Sequence, residues 1–520
     1  LPSASIPPLR DYQDHGVTWL RDKLAQHRAA LLADDMGLGK TRQVLAAAHH
    51  LDAQRILVAC PAGARAVWQN EIARWLPAWS ARVFVMEPGV NIAQVQKRLS
   101  DPAPLVLVIA YDELSKLDSK LPAYLAQAAW DLLIVDEAHY LKNFSNRTKA
   151  LYGTAGDNAG IQSSCKHAIL LSGTPTPNHA GELWQHVRTF WPGTIVLPRK
   201  GRPMTQPEFE ERYTKYRDTV YGRQVTGSKN QAELRNKLTP MVLRRRKDQV
   251  LPELPPLILQ DIPLDQPKDP RLTPAAQALA GRLTWSLSNQ RISDDLLIKA
   301  LHTPDAQLTT LRRELGELKV QPTILWVQER MNSTNKMLLF AWHHSVIEHL
   351  RRGLEEFSPV TITGETSPVG RANAIDMFQH RPGVRLFIGQ VLAAGTAITL
   401  TAASEVAIVE PSWVPGENVQ AICRAHRLGQ RDSVLASFLY LPGTLDQRIM
   451  ATFRRKASEI SELQGDDVHA SATHDDVRRK RDAGSRQPAG DDHPRRGQRD
   501  GGASVGKEVT RSAATADLAR

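Results

Sequence analysis

Short apolar runs recur along the chain, separated by stretches in which apolar residues return with a helical period. In the first half the runs are Ala29–Ala33, Arg55–Cys60, Leu105–Ala110, Asp131–Asp136 and Ala168–Ser172. In the second half they are Lys336–Ala341, Pro359–Thr363, Val384–Gly389, Glu405–Glu410 and Val434–Tyr440. Runs without alternation predict strands buried on both faces, and the helical stretches between them predict parallel sheets covered on both sides. Two such sets predict an α/β chain of two lobes. The region between the sets is more polar and poor in strand-like runs. Within it Gln206–Arg217, Gln231–Leu238 and Leu308–Val320 carry the helical period. Leu251–Pro256 (LPELPP) is expected to be extended, because proline does not sit inside a helix, and it marks the crossover towards the second lobe. The chain therefore divides into lobe 1 at 1–191, a mainly helical insertion and interlobe linker at 192–330, lobe 2 at 331–464, and a tail at 465–520.

The tail, Gly465–Arg520, has no aromatic residue, no Ile and one Leu, with 11 basic and 10 acidic residues. It cannot bury enough apolar surface to offset its ordering entropy and is expected to be disordered. The formal net charge of +11 therefore belongs almost wholly to the folded part. That balance favours a polyanionic partner without selecting one. Cys60, Cys165 and Cys423 are far apart and lack metal-ligand spacing, which excludes a disulfide framework and points to a reducing interior. No apolar run approaches the roughly 18 residues that span a bilayer, and no signal peptide is evident. The first residue is Leu1, so a fragment or a processed product is expected.

After the run Ala29–Ala33 comes Asp34-Asp35-Met36-Gly37-Leu38-Gly39-Lys40-Thr41, followed by the helical run Arg42–His49. A strand, a tight glycine turn and a helix N-terminus make an anion site. The amides of Gly37 to Thr41 can face phosphate, and the helix dipole adds to them. Lys40 supplies a charge for the β- and γ-phosphates, and the Thr41 hydroxyl suits Mg²⁺. Asp34 stands where the strict phosphate-loop pattern has its first glycine. A chance glycine turn before a helix has similar letters; the strand–loop–helix context favours the nucleotide reading.

Leu132–Val135 runs into Asp136-Glu137-Ala138-His139. Adjacent carboxylates at a strand's C-terminal end lie on the ligand-binding edge of a parallel sheet. Asp136 can hold Mg²⁺, and Glu137 can orient the attacking water. An acidic pair favoured only by a helix dipole is the alternative. Its position after the phosphate loop, with strands between, favours the catalytic reading.

Further motifs follow in an order that resembles the Swi/Snf-related group of superfamily-two helicase-like ATPases, and within it the compact annealing-helicase (HARP-like) branch. Leu9-Arg10-Asp11-Tyr12-Gln13 resembles the group's opening motif, which implies that Gln13 reads adenine. Asp34–Thr41 resembles its D-E-M-G-L-G-K-T loop, which accounts for the missing glycine and implies that Asp35, Met36 and Leu38 belong to the ATP site. Cys60-Pro61 with Trp68 resembles a strand end near the DNA path. Ser172-Gly173-Thr174-Pro175 resembles the segment that couples the nucleotide site to the track. Thr363-Gly364-Glu365-Thr366-Ser367 resembles a turn suited to backbone phosphate, and Trp413-Val414-Pro415 resembles the W-x-P segment. Gln420 to Gln430 (QAICRAHRLGQ) resembles Q-x-x-x-R-x-x-R-x-G-Q. Arg424 and Arg427, three apart, are expected on one helix face, reaching across the cleft as arginine fingers.

The resemblance implies two RecA-like lobes, ATP and Mg²⁺ as cofactors, and duplex or branched DNA as partner. Ser172, Thr174, Thr366, Gly395, Trp413, Gln420 and Gln430 would serve coupling and the nucleic-acid path. It leaves room for protein partners and implies neither a membrane nor an oligomer. The compartment would be cytoplasmic and nucleoid-associated in a bacterium and nuclear in a eukaryote. Other readings are a strand-separating helicase on DNA or RNA, and a binding scaffold with weak ATPase. Departures from the pattern bear on the last. Ile422 and Cys423 precede the first finger where an acidic residue is common. In Val391–Leu400 Gly395 is kept, but Ala397 replaces the second glycine and Leu392 a hydroxyl residue. Leu243-Arg244-Arg245-Arg246-Lys247 resembles L-R-R-x-K; its cations would either contact phosphate or brace the lobes.

Overall fold

The computed structural model describes residues 8–454 except 88, 117–119, 155–158, 177–178, 198–199, 220–221, 266–305, 392–397, 413, 443, 445, 448–449 and 452–453, with backbone alone at 217–219, 222–224, 226 and 306–311. The expectations placed on Leu392, Gly395, Ala397, Trp413 and the tail lie outside the described residues. No helix among the described residues is long and apolar enough to cross a membrane.

Lobe 1 is built on strands β1 (Ala29–Leu32), β2 (Arg55–Cys60), β3 (Val83–Val85), β4 (Leu105–Ala110), β5 (Trp130–Val135) and β6 (Cys165–Leu171). A short strand from much later in the chain, β9 (Val242–Leu243), completes a seven-stranded sheet of order β3-β4-β2-β5-β6-β1-β9. Every pairing in it is parallel. Alternate residues of one strand feed opposite cores, as the period of two requires. Leu31, Leu57, Leu107, Leu133 and Leu170 pack on one face. Leu32, Ile56, Val106, Leu132 and Ile169 pack on the other, under Val17, Leu20 and Leu24 of helix α1 (Asp11–Gln26).

Lobe 2 repeats the plan with β10 (Leu257–Pro263), β11 (Met337–Ala341), β12 (Val360–Ile362), β13 (Leu386–Gln390), β14 (Glu405–Ile408) and β15 (Val434–Tyr440), in the order β10-β15-β14-β11-β13-β12 and again all parallel. Leu339 and Ile388 pack on one face and Phe340 and Phe387 on the other. The ten apolar runs read from the sequence are ten of these strands, with ends shifted by a few residues.

The segment 192–330 does more than link the lobes. It supplies β9 to the first sheet and β10 to the second. Its long helix Ala306–Met331 buries Leu315, Ile324, Val327 and Met331 in the core of lobe 2. The helix expected over Gln206–Arg217 ends at Tyr213. The next residues form β7 (Thr214–Thr219), paired antiparallel with β8 (Gly222–Ser228). Thr214-Lys215-Tyr216-Arg217 alternates β-branched or aromatic with charged residues, and pairing with β8 outweighs the weak helical period. Leu251–Pro256 is not extended throughout. Leu254 N–H donates to the Leu251 carbonyl (2.9 Å), closing a turn with Pro252 at the position proline favours.

Candidate functional site

The sheet order of lobe 1 places β5, β6, β1 and β9 side by side, so the segments leaving their C-terminal ends share one edge. The loop from β1 carries Asp34–Gly39 into helix α2 (Lys40–His50). Gly37 (φ 90°) and Gly39 (φ 74°) are both left-handed, a region open to glycine at little steric cost. A Cβ on Gly39 would also lie 2.6 Å from Gln13 Nε2. Gln13 Nε2 (3.3 Å) and the Tyr12 hydroxyl (3.2 Å) both donate to the Leu38 carbonyl, so the expected adenine reader stands against the phosphate loop. Lys40 Nζ donates to the carbonyls of Asp34 (2.8 Å) and Asp35 (3.3 Å). Burial lowers its pKa, opposed by the carboxylates of Glu137, Asp34, Asp35 and Asp136. Met36 reaches across to Gly173.

Asp34, at the position where the strict phosphate-loop pattern has a glycine, is 0% exposed. Its carboxylate takes both arms of Arg245, Nε to Oδ1 at 3.0 Å and Nη2 to Oδ2 at 2.5 Å, and accepts from Gln43 Nε2 at 3.1 Å. Arg245 also donates to Gln43 Oε1 (2.7 Å) and to the Tyr12 carbonyl. Its neighbours in the LRRRK run are likewise engaged internally: Arg244 lies 3.3 Å from Asp35, and Arg246 pairs with Asp248 at 2.6 Å. Arg244 and Arg245 are thus turned to carboxylates of lobe 1, and Arg246 to a carboxylate two residues along its own segment. Arg245, Gln43 and Tyr12 were not singled out from the sequence as a unit; the non-glycine at position 34 was the available signal.

At the end of β5, Asp136 Oδ2 accepts from Trp68 Nε1 (2.8 Å) and Oδ1 from the Glu137 amide (3.0 Å). Trp68 is buried in helix α3 (Arg65–Trp75), so it orients this carboxylate rather than lining a surface path. Glu137 has φ 48°, an uncommon conformation for a non-glycine residue and one typical of functional turns. Its Oε2 is buried without a hydrogen-bond partner, 3.3 Å from His139 Nδ1. Burial raises both carboxylates; Asp136 is raised further by Glu137, while Lys40 and Arg424 pull Glu137 back down. The two half-buried carboxylates, one with an oxygen lacking a hydrogen-bond partner, make a site of hard oxygen donors. Mg²⁺ fits it. Asp136 and the Thr41 hydroxyl would hold the ion together with water and nucleotide phosphate, since among the described residues no group of three His, Cys, Asp or Glu side chains forms a cage.

His139 Nδ1 lies 3.1 Å from Ser172 Oγ, and that oxygen accepts the Thr174 amide at 3.2 Å. Burial pushes the His139 pKa down to about 3, so the imidazole is neutral near pH 7. Thr174 packs against Gly416 in the first turn of the lobe 2 helix Pro415–Ile422, where an added Cβ would meet its Cγ2 at 3.2 Å. Glu137, His139, Ser172, Thr174 and Gly416 thus form a continuous path from the carboxylates to the second lobe.

Arg424 and Arg427 do not share a helix face. The helix ends at Ile422, and the chain tightens into turns in which the Arg424 carbonyl is taken by the Leu400 amide (2.9 Å). Arg424 is buried close to Glu137; burial, and then Arg427, lower its pKa to about 10. Arg427 sits over the phosphate loop, with its Cβ 3.0 Å from a Cβ built on Gly37, and Nη1 donates to the Ile398 carbonyl at 2.9 Å. Gln430 spends its amide on this turn: Nε2 donates to the Ala403 carbonyl (2.8 Å) and Oε1 accepts from the Arg431 and Asp432 amides. Thr366 Oγ1 accepts the Thr363 amide (2.9 Å) and closes its own turn, while Gln420 lies half-buried on the helix Pro415–Ile422.

A two-lobed site of this construction defines a helicase-type ATPase. The SNF2-related domain matches residues 12–265 and the helicase conserved C-terminal domain residues 318–429, and the chain belongs to the SNF2-related family of such ATPases. The DNA annealing helicase and endonuclease ZRANB3 of Bos taurus is 29% identical over 468 residues, covering 88% of this chain and 40% of that protein. The SWI/SNF-related matrix-associated actin-dependent regulator of chromatin subfamily A-like protein 1 of Xenopus tropicalis is 27% identical over 474 residues, covering 89% of this chain and 46% of that protein. The chain spans less than half the length of these curated relatives. Among solved structures, the Sulfolobus solfataricus SWI2/SNF2 ATPase core in complex with dsDNA matches at 23% identity and a TM-score of 0.41, over 92% of this chain and 98% of that one.

Proposed function

We propose that the chain hydrolyses ATP in the cleft between its lobes and uses the cycle to move along double-stranded DNA, remodelling or re-annealing it. The observation that carries the reading is that the arginine-bearing turn of lobe 2 closes on the lobe 1 site: Arg427 Cβ lies 3.0 Å from a Cβ built on Gly37, and Thr174 packs against Gly416. The loop amides and Lys40 would take the phosphates, with Lys40 leaving the Asp34 and Asp35 carbonyls. Glu137, with its unpaired oxygen, would orient the attacking water. Arg424 would offset charge on the transferred phosphoryl group, a contribution typically worth about 10³–10⁵ in rate. Mg²⁺, when bound, would supply charge neutralisation to the phosphates. Loss of the γ-phosphate would change what Glu137 and Arg424 face. The path through His139, Ser172 and Thr174 would carry that change to the helix at Gly416. The re-annealing activity is suggested by the relative named as a DNA annealing helicase.

The test is the ATPase rate with no nucleic acid, single-stranded, duplex and forked DNA, and RNA. Duplex or forked DNA should stimulate most, and stimulation by RNA alone would overturn the reading. Glu137→Gln should bind ATP and lose turnover; full turnover would remove Glu137 from its role.

A further inference from the structure

We infer that Lys247 is a positioning residue that holds the arginine-bearing turn of lobe 2 in register with the phosphate loop of lobe 1. The inference rests on the ATPase reading above and adds to it. The Lys247 amide donates to Asp35 Oδ2 at 3.1 Å, which ties the residue to the phosphate loop. Its side chain runs the other way. Nζ donates to the His426 carbonyl and lies 3.2 Å from Cys423 Sγ. Those two residues bracket Arg424, and His426 adjoins Arg427. The stem crosses above Gly37, where an added Cβ would lie 3.6 Å from Lys247 Cε and 3.0 Å from Arg427 Cβ.

Lys247 is buried, and its ammonium is directed at lobe 2 backbone, so it is not presented to a nucleic-acid phosphate. A buried ammonium with a carbonyl and a thiol as neighbours holds its place only while those groups stay in reach. It therefore ties the turn carrying both arginines to the loop that takes the phosphates. The ground-state nucleotide contacts in that reading, from Gln13 and from Gly37 to Thr41, would all come from lobe 1, and Arg424 would act on the transferred group. Losing the tether leaves them intact but frees the turn to wander from Glu137. The consequence is a split between binding and turnover: the interaction acts on the transition state and little on the ground state.

The test compares Lys247→Met, which keeps the stem and loses the charge, with Lys247→Arg, which keeps both charge and reach, in the full chain. ATP affinity is read with a fluorescent nucleotide, kcat with saturating ATP and DNA, and folding by thermal melting. K247M should lose about tenfold or more in kcat while its nucleotide affinity stays within about threefold, and K247R should keep kcat within about threefold of the parent. An unchanged kcat in K247M, an affinity that falls in parallel with kcat, or a K247R as impaired as K247M would each overturn the inference. So would a K247M chain that does not fold, which would make Lys247 structural. If the parent itself shows no ATPase, the functional reading fails, whereas an active parent with an equally active K247M sinks only the role of Lys247.

Discussion

Replacing Arg245 by Met removes a guanidinium that makes two bonds to Asp34, one to Gln43 and one to the Tyr12 carbonyl. Asp34 is 0% exposed, so its carboxylate would keep only the Gln43 amide at 3.1 Å. Breaking a buried pair in this way, by leaving one charge uncompensated, costs about 3–5 kcal/mol. At about 2–4 °C per kcal/mol for a domain of this size, lobe 1 should melt about 10 °C lower. Asp34 adjoins the carbonyls that hold Lys40, so ATP affinity should weaken as well. The double variant Asp34→Asn with Arg245→Met removes the stranded charge. It should recover about half of the lost stability, because the penalty lies mainly in the unpaired carboxylate. Melting of the parent, both single variants and the double variant, followed by circular dichroism, completes the cycle. The reasoning fails if Arg245→Met melts within about 2 °C of the parent, or if the double variant is no more stable than Arg245→Met.

Trp68→Phe keeps most of the ring volume but deletes the donor to Asp136; such a bond to a charged group is worth about 1.5–3 kcal/mol. The Mg²⁺ concentration for half-maximal ATPase should rise with little change in melting, and an unshifted Mg²⁺ dependence would remove Trp68 from the site. His186, fully buried against the Tyr152 hydroxyl at 3.0 Å, has its pKa pushed down to about 3 by burial. In the unfolded chain it titrates near about 6.5. The unfolded state therefore takes up the proton first as pH falls. The stability held by the neutral ring is complete above about 6.5 and declines towards pH 3 at up to about 1.4 kcal/mol per unit. His186→Gln should flatten the fall in melting temperature between pH 7.5 and 5; an unaltered slope would show that His186 is not held neutral.

The buried strands were legible because each needs only a short run of apolar residues, as in Leu105–Ala110, where every side chain is buried. The candidate phosphate loop and carboxylate pair could be picked out from the sequence because their letters are contiguous. The weaker strands were not. Two residues of β9 carry no period, and the residues of β10 are only partly buried because it is an edge strand. The contacts that tune the site join residues far apart in the chain: Trp68 to Asp136 across 68 positions, Lys247 to Cys423 across 176, Arg245 to Asp34 across 211. Spacing along a chain does not encode such meetings. A shared helix face for Arg424 and Arg427 requires the helical period to continue, whereas the helix ends at Ile422 and the Arg424 carbonyl is engaged by the Leu400 amide.

The place of β9 at the edge beside β1 bears on the order in which the protein can be made. β1 and the phosphate loop leave the ribosome early, yet Ala33 and Asp35 await the carbonyls of Leu243 and Arg245, and Asp34 awaits its cation from the same segment. Until then β1 is an open sheet edge ending in a bare carboxylate, a poor arrangement in isolation. A nascent chain cut at residue 191 therefore holds all the phosphate-loop letters without a finished phosphate loop. The smallest piece expected to fold around ATP on its own extends through Lys247.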